Sequence, residues 1–159
     1  MRNSIQNMKP SFLHLVAKTE IGPASCAVTI ARSIDVFTGY LDLDFWRWGT
    51  DKVGVDTVSQ TALVYKVVKR GNLAEIFGSL GGDACRFTWT QGQIVEFCRT
   101  HRHYLRRDGW GTWFFFKVEA NLFFADVRVD GRTLDVHVGR FRPDYICRTT
   151  SASWFVVPQ

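Results

Sequence analysis

Thiolate and imidazole are the side chains that hold zinc most readily, and Cys98, His101 and His103 bring three of them into one short stretch. On a helix Cys98 and His101 share a face, but two steps of 100° turn His103 about 200° away from His101. At most two of the three can then reach one ion. Cys85 is available as a further ligand, yet nothing in the sequence fixes its position. A buried thiol and a hydrogen-bonded imidazole account for these residues more simply, so neither a metal nor another cofactor is expected.

Asp126, Asp135 and His137 offer general acid or base chemistry. Two carboxylates held close raise each other's proton affinity, and a nearby imidazole can share the transfer, as in a small hydrolase. No motif accompanies them. The chain has no G-x-S-x-G, P-loop or H-E-x-x-H, and no G-x-G-x-x-G that opens a helix. Charges on a sheet face, neutralised by Arg128 or Lys117, are the simpler account, and a binding protein is favoured over an enzyme.

Nucleic-acid binding uses more of the residues. Trp113, Phe115 and Phe124 would form a stacking platform on one sheet face, with Lys117 and Arg128 among them to neutralise phosphate. Arg99, Arg102 and Arg106, at i, i+3 and i+7, would add a basic stripe on a helix. Two features oppose this. Asp126 and Asp135 lie in the middle of the platform, and Glu96 can pair with an arginine of the stripe. The competing account is that the N-terminal half covers this face and makes the rings part of the core.

The helix that must carry the arginines is clearly marked. Thr90 and Gln93 fit a capping box, and Ile94, Phe97, Cys98, His101 and Leu105 recur at helical spacing. Arg99, Arg102, His103, Arg106 and Arg107 occupy its other sides, and Asp108-Gly109 is read as its stop. The strands follow. Asp130-Gly131 suits a two-residue hairpin turn, which pairs Val127 with Leu134, Ala125 with Val136 and Phe123 with Val138, and sets Asp126 opposite Asp135. A turn near Ala120-Asn121 brings Phe114, Phe116 and Val118 onto the same apolar face, which the helix stripe should cover.

Upstream, Phe12 to Lys18 reads as a strand and Leu41 to Trp48 as a short strand; between them, Ala27, Ile30, Ala31 and Ile34 of Ala24 to Phe37 fit a helix with Pro23 near its first turn, whereas Cys26, Val28 and Ile30 fit a strand, and the helix is favoured. Thr50 to Gln60 reads as a loop and internal boundary. Thr61 to Arg70 reads as a helix stopped by Gly71, although Leu63, Tyr65 and Val67 would also serve a strand. Asn72 and Glu75 then form a second capping box, before a helix with Leu73, Ile76, Phe77 and Leu80 on its stripe that closes at Gly81-Gly82. Tyr145 to Arg148 and Trp154 to Val157 supply short strands, the last ended at a sheet edge by Pro158.

The domain reading is a flexible tail over 1–10 and one α+β domain over 11–159, with a less defined part over 11–60 and the helix and sheet over 61–159. Its fold is short helices plus one longer amphipathic helix, packed on an antiparallel meander sheet of four or five strands. The length of 159 residues suits one core, and 46% hydrophobic with 14% aromatic residues excludes a disordered chain. Twenty Lys and Arg against fifteen Asp and Glu give +5, compatible with an anionic partner without demanding one.

The start, MRNSIQNMKP, lacks the apolar core of a secretory signal, and no run is long and apolar enough to span a bilayer. A cytoplasmic protein without a membrane partner is expected. Its four widely spaced cysteines are read as free thiols.

The order TQGQIVEFCRTHRHYLRRDGWGTWFFFKV, NLFFADVRV, DGRTLDVHVGRF and VVPQ resembles a group of short, uncharacterised bacterial proteins that share such a C-terminal half. The resemblance covers roughly Leu63 to Gln159 and implies no activity, cofactor or partner. The expected function is therefore a non-catalytic binding protein, with RNA or single-stranded DNA ahead of a protein partner and a hydrolase third. An exposed tryptophan among Trp46, Trp48, Trp89, Trp110 and Trp154 would turn the balance toward a protein interface.

Overall fold

The computed structural model describes residues 11–149 and 154–159. The tail over 1–10 lies outside the described residues. In chain order the elements are β1 (Leu13–Ile21), α1 (Asp44–Arg47), β2 (Gln60–Val67), β3 (Gly71–Asn72), α2 (Leu73–Ser79), β4 (Thr88–Trp89), α3 (Gln91–Thr100), β5 (Thr112–Val118), β6 (Asn121–Asp130), β7 (Thr133–Arg140), β8 (Ile146–Cys147) and β9 (Trp154–Pro158). The class is α+β, but the sheet is not an antiparallel meander of four or five strands. Among the described residues it has seven strands in the order β1-β2-β9-β5-β6-β7, with β4 also on β5, and it is mixed: β9 and β4 both run parallel to β5.

The sheet separates two apolar cores, and this explains most departures from the expected pattern. Ala62 and Val64 of β2 face one core, while Leu63, Tyr65 and Val67 face the other. A strand buried on both sides loses its simple alternation. Thr61 to Arg70 therefore resembles a helix in sequence and is an interior strand in space. For the same reason β9 lies between β2 and β5 rather than at an edge, with Pro158 at its end opposite Ala62.

The first core behaves as expected. Phe114, Phe116, Phe123, Ala125 and Val127 share a face, and Ile94, Phe97 and Cys98 of α3 cover it, Phe97 meeting Phe114 edge-on at 5.2 Å. Both capping boxes form. Gln93 N donates to Thr90 Oγ1 at 3.2 Å while Thr90 N donates to Gln93 Oε1 at 3.0 Å, and Asn72 with Glu75 repeats the pattern at α2.

α3 ends early, at Thr100. The Thr100 hydroxyl donates back to Glu96 O at 2.8 Å, a local bond that competes with helix continuation. His101 then leaves helical geometry at φ −123°, ψ 31°, before a 3-10 turn over Arg102–Tyr104. Arg99, Arg102 and Arg106 consequently do not lie on one helix face.

The hairpin differs by two residues from the expected register. Asp130 pairs with Thr133, so Gly131-Arg132 is the turn, and positive φ occurs at Gly131 (57°) alone of the two, as in a type II′ turn. A shift of two keeps every side chain on its face. It replaces the Asp126/Asp135 opposition with Asp126 beside His137 and Arg128 beside Asp135, a favourable exchange of partners. The preceding turn falls at Glu119-Ala120, one residue earlier than expected.

Ala24 to Phe37 is mostly irregular, with one 3-10 turn at Ile30–Arg32, because Ile30 N donates to the side chain of Gln91 instead of continuing a helix. Leu41 to Trp48 makes a single bridge at Leu41 and then α1. Asp42 directs this change. Its Oδ1 accepts from Asp44 N at 3.0 Å and its Oδ2 from Val138 N at 3.2 Å, so Gly39–Asp42 straps the outer edge of β7.

Candidate functional site

The second core lies where the stacking platform was expected. Phe77 of α2 packs on Phe115 at 4.8 Å and on Phe155 at 6.1 Å, and Leu73, Ile76 and Cys147 share that cover. Trp113 is 6% exposed, Phe115 is fully buried, and Phe124 is half-buried with its ring stacked on Trp113 at 4.0 Å. Rings held this way present no free face to a base. The cover comes from α2 and the segment around Phe141, and only in small part from the extreme N-terminal region through Phe12 and Leu13.

The expected basic residues have local partners. Arg99 pairs with Asp35 at 3.2 Å, Arg102 donates to Arg132 O, and Arg106 pairs with Asp108 at 2.6 Å with most of its side chain buried. Arg128 grips Asp126 Oδ2 through two nitrogens, at 2.8 and 3.1 Å. Asp126 and His137 of the acid/base trio are cross-strand neighbours, but the trio forms no shared hydrogen-bond network among the described residues. Asp135 Oδ1 accepts from Tyr40 N at 2.7 Å, and the His137 ring lies 4.8 Å from the Tyr40 ring. No hydrogen bond among the described residues joins His137 to either carboxylate.

Among the described residues no group of three His, Cys, Asp or Glu side chains could hold a metal. Cys98 is buried, and His101 Nδ1 is engaged with the Thr100 hydroxyl at 2.7 Å.

Lys117, one of the eight expected site residues, lines a cavity. That cavity, of about 410 Å³, is formed by Lys52–Val55, by Thr88–Gln91 with Gln93, and by Lys117–Glu119. It lies at the ends of β4 and β5, past a fork in the sheet. One edge of β5 pairs with β9 from Thr112 to Phe114, and then with β4 at Phe115 and Phe116. β9 diverges toward β2 while β4 takes its place, and the Trp89 indole donates to Val156 O at 2.8 Å where the ladder changes partner. Immediately beyond, Thr90 starts α3. Parallel strand ends facing a helix N-terminus are a common place for a ligand crevice.

The loop on the crevice is pinned by polar bonds despite its exposure. The buried Gln91 side chain donates to Thr50 O at 2.7 Å and accepts from Ile30 N at 3.1 Å. Asp51 accepts from the Thr29 hydroxyl at 2.6 Å and from Arg32 Nε at 3.0 Å. Gly54 N donates to Cys26 O, and Asp56 accepts from Cys26 N. Burial pushes the Asp51 carboxyl up, but Thr29 and then Arg32 outweigh it and hold it below its usual range. Within this fixed frame Val53 and Val55 remain 69% and 65% exposed, an apolar surface beside the cavity.

The crevice walls supply hydrogen-bond donors. Gln93 is 7% exposed, and its Oε1 is used by the cap while its Nε2 donates to nothing among the described residues. Lys52 and Lys117 have no carboxylate within 4.0 Å among the described residues. Glu119 is the one acidic side chain of the lining, and at φ 55° it is the one non-glycine with positive φ among the described residues. Sequence reasoning missed this site because its parts come from three distant segments. The one available signal was Gln91-Gly-Gln93 directly after a cap, where two amides follow a strand with no apolar role at either position.

Comparison with family models, with curated proteins and with solved structures returns no match to this chain. Among the described residues no helix is long and apolar enough to cross a membrane.

Proposed function

We propose that this protein is a non-catalytic binding protein whose ligand is a small molecule seated in the crevice where β4 replaces β9 on β5. The observation that carries this reading is the cavity of about 410 Å³ framed by a pinned loop and a helix start. Its volume lies within the range common for ligand pockets, about 300–1,000 Å³. The side chains there include no activated nucleophile and no carboxylate pair, so binding rather than turnover is the chemistry they support.

An RNA or single-stranded DNA ligand is less favoured than the sequence implies, since the platform rings are in the core and the arginines are engaged. A protein partner is the second reading. Trp46 is exposed, with Tyr40 and Leu43 exposed in the same segment, and such residues often anchor protein interfaces.

The test is amide-resolved NMR of the folded protein against a set of neutral and charged fragments. Shift changes concentrated at residues 52–55, 88–93 and 117–119 are expected. A set that leaves those amides unmoved would overturn the crevice reading.

A further inference from the structure

Resting on that reading, we infer that the crevice ligand carries one oxyanion group, a carboxylate or a phosphate, on an apolar body. The lining divides its labour. Val53, Val55 and Val118 give apolar contact, while Lys52, Lys117 and the Gln93 amide give donors. The donors are matched by little that is negative: two lysines stand against the single carboxylate of Glu119.

Three independent features point the same way. Lys52 and Lys117 come from segments far apart in sequence yet flank one cavity, and neither is neutralised by a carboxylate within 4.0 Å among the described residues. Gln93 lines the cavity, its Oε1 is fixed by the cap, and its N–H₂ donates to no group among the described residues. Held in place by the cap, that donor can meet a ligand's acceptor without reordering. Finally, the Gln91 backbone N–H lies in the first turn of the ten-residue α3, has no acceptor among the described residues, and carries the positive end of the helix dipole.

Glu119 sets the limit on charge. Its carboxylate repels a second anionic group, so a ligand with one oxyanion group is preferred over a polyanion such as a nucleic-acid backbone.

Three probes with one body separate the possibilities: 2-naphthoate, 2-naphthyl phosphate and the neutral 2-naphthamide, each titrated by amide NMR. Both anions should bind at the crevice amides, and naphthamide should bind them about tenfold more weakly. Naphthoate binding tighter than naphthyl phosphate would identify a carboxylate head, and the reverse a phosphate. Lys52→Met and Lys117→Met, both on exposed side chains, should each weaken naphthoate about fivefold and leave naphthamide unchanged. Glu119→Gln should tighten both anions.

Equal binding of naphthamide and naphthoate at the crevice would overturn the oxyanion inference while leaving the crevice reading in place. No shift at the crevice amides with any of the three would overturn both.

Discussion

Gly111→Ala should be among the most damaging single-methyl changes in this chain. A Cβ at that position would stand 1.5 Å from Asp126 Oδ1 and 2.6 Å from its Cγ, where ordinary contact begins at 3.4 Å. Something must move by about 2 Å, and the carboxylate has little room to do so. Asp126 is 5% exposed, Trp113 is its neighbour on β5 and His137 on β7, and Arg128 clamps its other oxygen. Overpacking of this kind costs about 1–3 kcal/mol. Loosening the charge-assisted bonds to Arg128 adds roughly 1 kcal/mol once the exposure of that arginine is taken into account.

A loss of about 2–4 kcal/mol follows for Gly111→Ala, or roughly 4–16 °C in Tm for a chain of this size. Urea denaturation followed by circular dichroism measures it. In an Asp126→Ala background the same glycine change should cost under about 1 kcal/mol, because the atoms that clash are gone. A Gly111→Ala protein within about 0.5 kcal/mol of the wild type would refute the reasoning. So would an unchanged cost in the double variant.

The four free cysteines should separate cleanly by reactivity. Burial pushes the Cys147 thiol up to about 12 and raises that of Cys98 too, while Cys85 is exposed. At pH 8 a thiol reagent should label Cys85 fastest. Cys26 should follow more slowly, its thiol raised chiefly by its hydrogen bond to Asp56, and the other two should react only on unfolding, as read by peptide mass spectrometry. Rapid labelling of Cys147 in the folded protein would contradict the second core. Acid provides a further check. Since the folded Asp51 carboxyl lies below its ordinary 3.8, its contribution is present above that value and is lost as pH falls through the lower folded one. Asp51→Asn should therefore flatten the pH dependence of stability in that window, and an unchanged slope would show that the Thr29 and Arg32 bonds do not hold the crevice loop.

How far the fold was legible depends on how local its causes are. Both capping boxes were readable because each is a bond between residues three apart, and the core face of β5 and β6 was readable because the turns set its phase, which a two-residue shift of register preserves. The end of α3 was not, since Asp108-Gly109 is a good stop that the chain never reaches as a helix. Thr100 and His101 break it first, through bonds too weak to stand out in sequence. The identity of β2 and the place of β9 were hidden by burial on both faces, which is a property of the partners and not of the strand. The crevice shows the same limit more strongly: Lys52, Gln93 and Lys117 come to line one cavity only because β4 and the start of α3 are placed beside the end of β5.

That exchange of strands also constrains how the molecule can be made. In the main sheet β2 has β1 on one side and β9 on the other. A ribosome working at about 5–20 residues per second needs roughly 4–20 s to travel from Val67 to Trp154. Throughout that interval β2 waits with a bare row of main-chain groups on the side that β9 will take, while the Thr112–Phe114 edge of β5 also lacks its partner once it emerges. The nascent chain is thus most vulnerable to pairing with a neighbour on the same polysome just before β9 appears. Slow translation ahead of Trp154 would lower the yield of folded protein without altering a single residue.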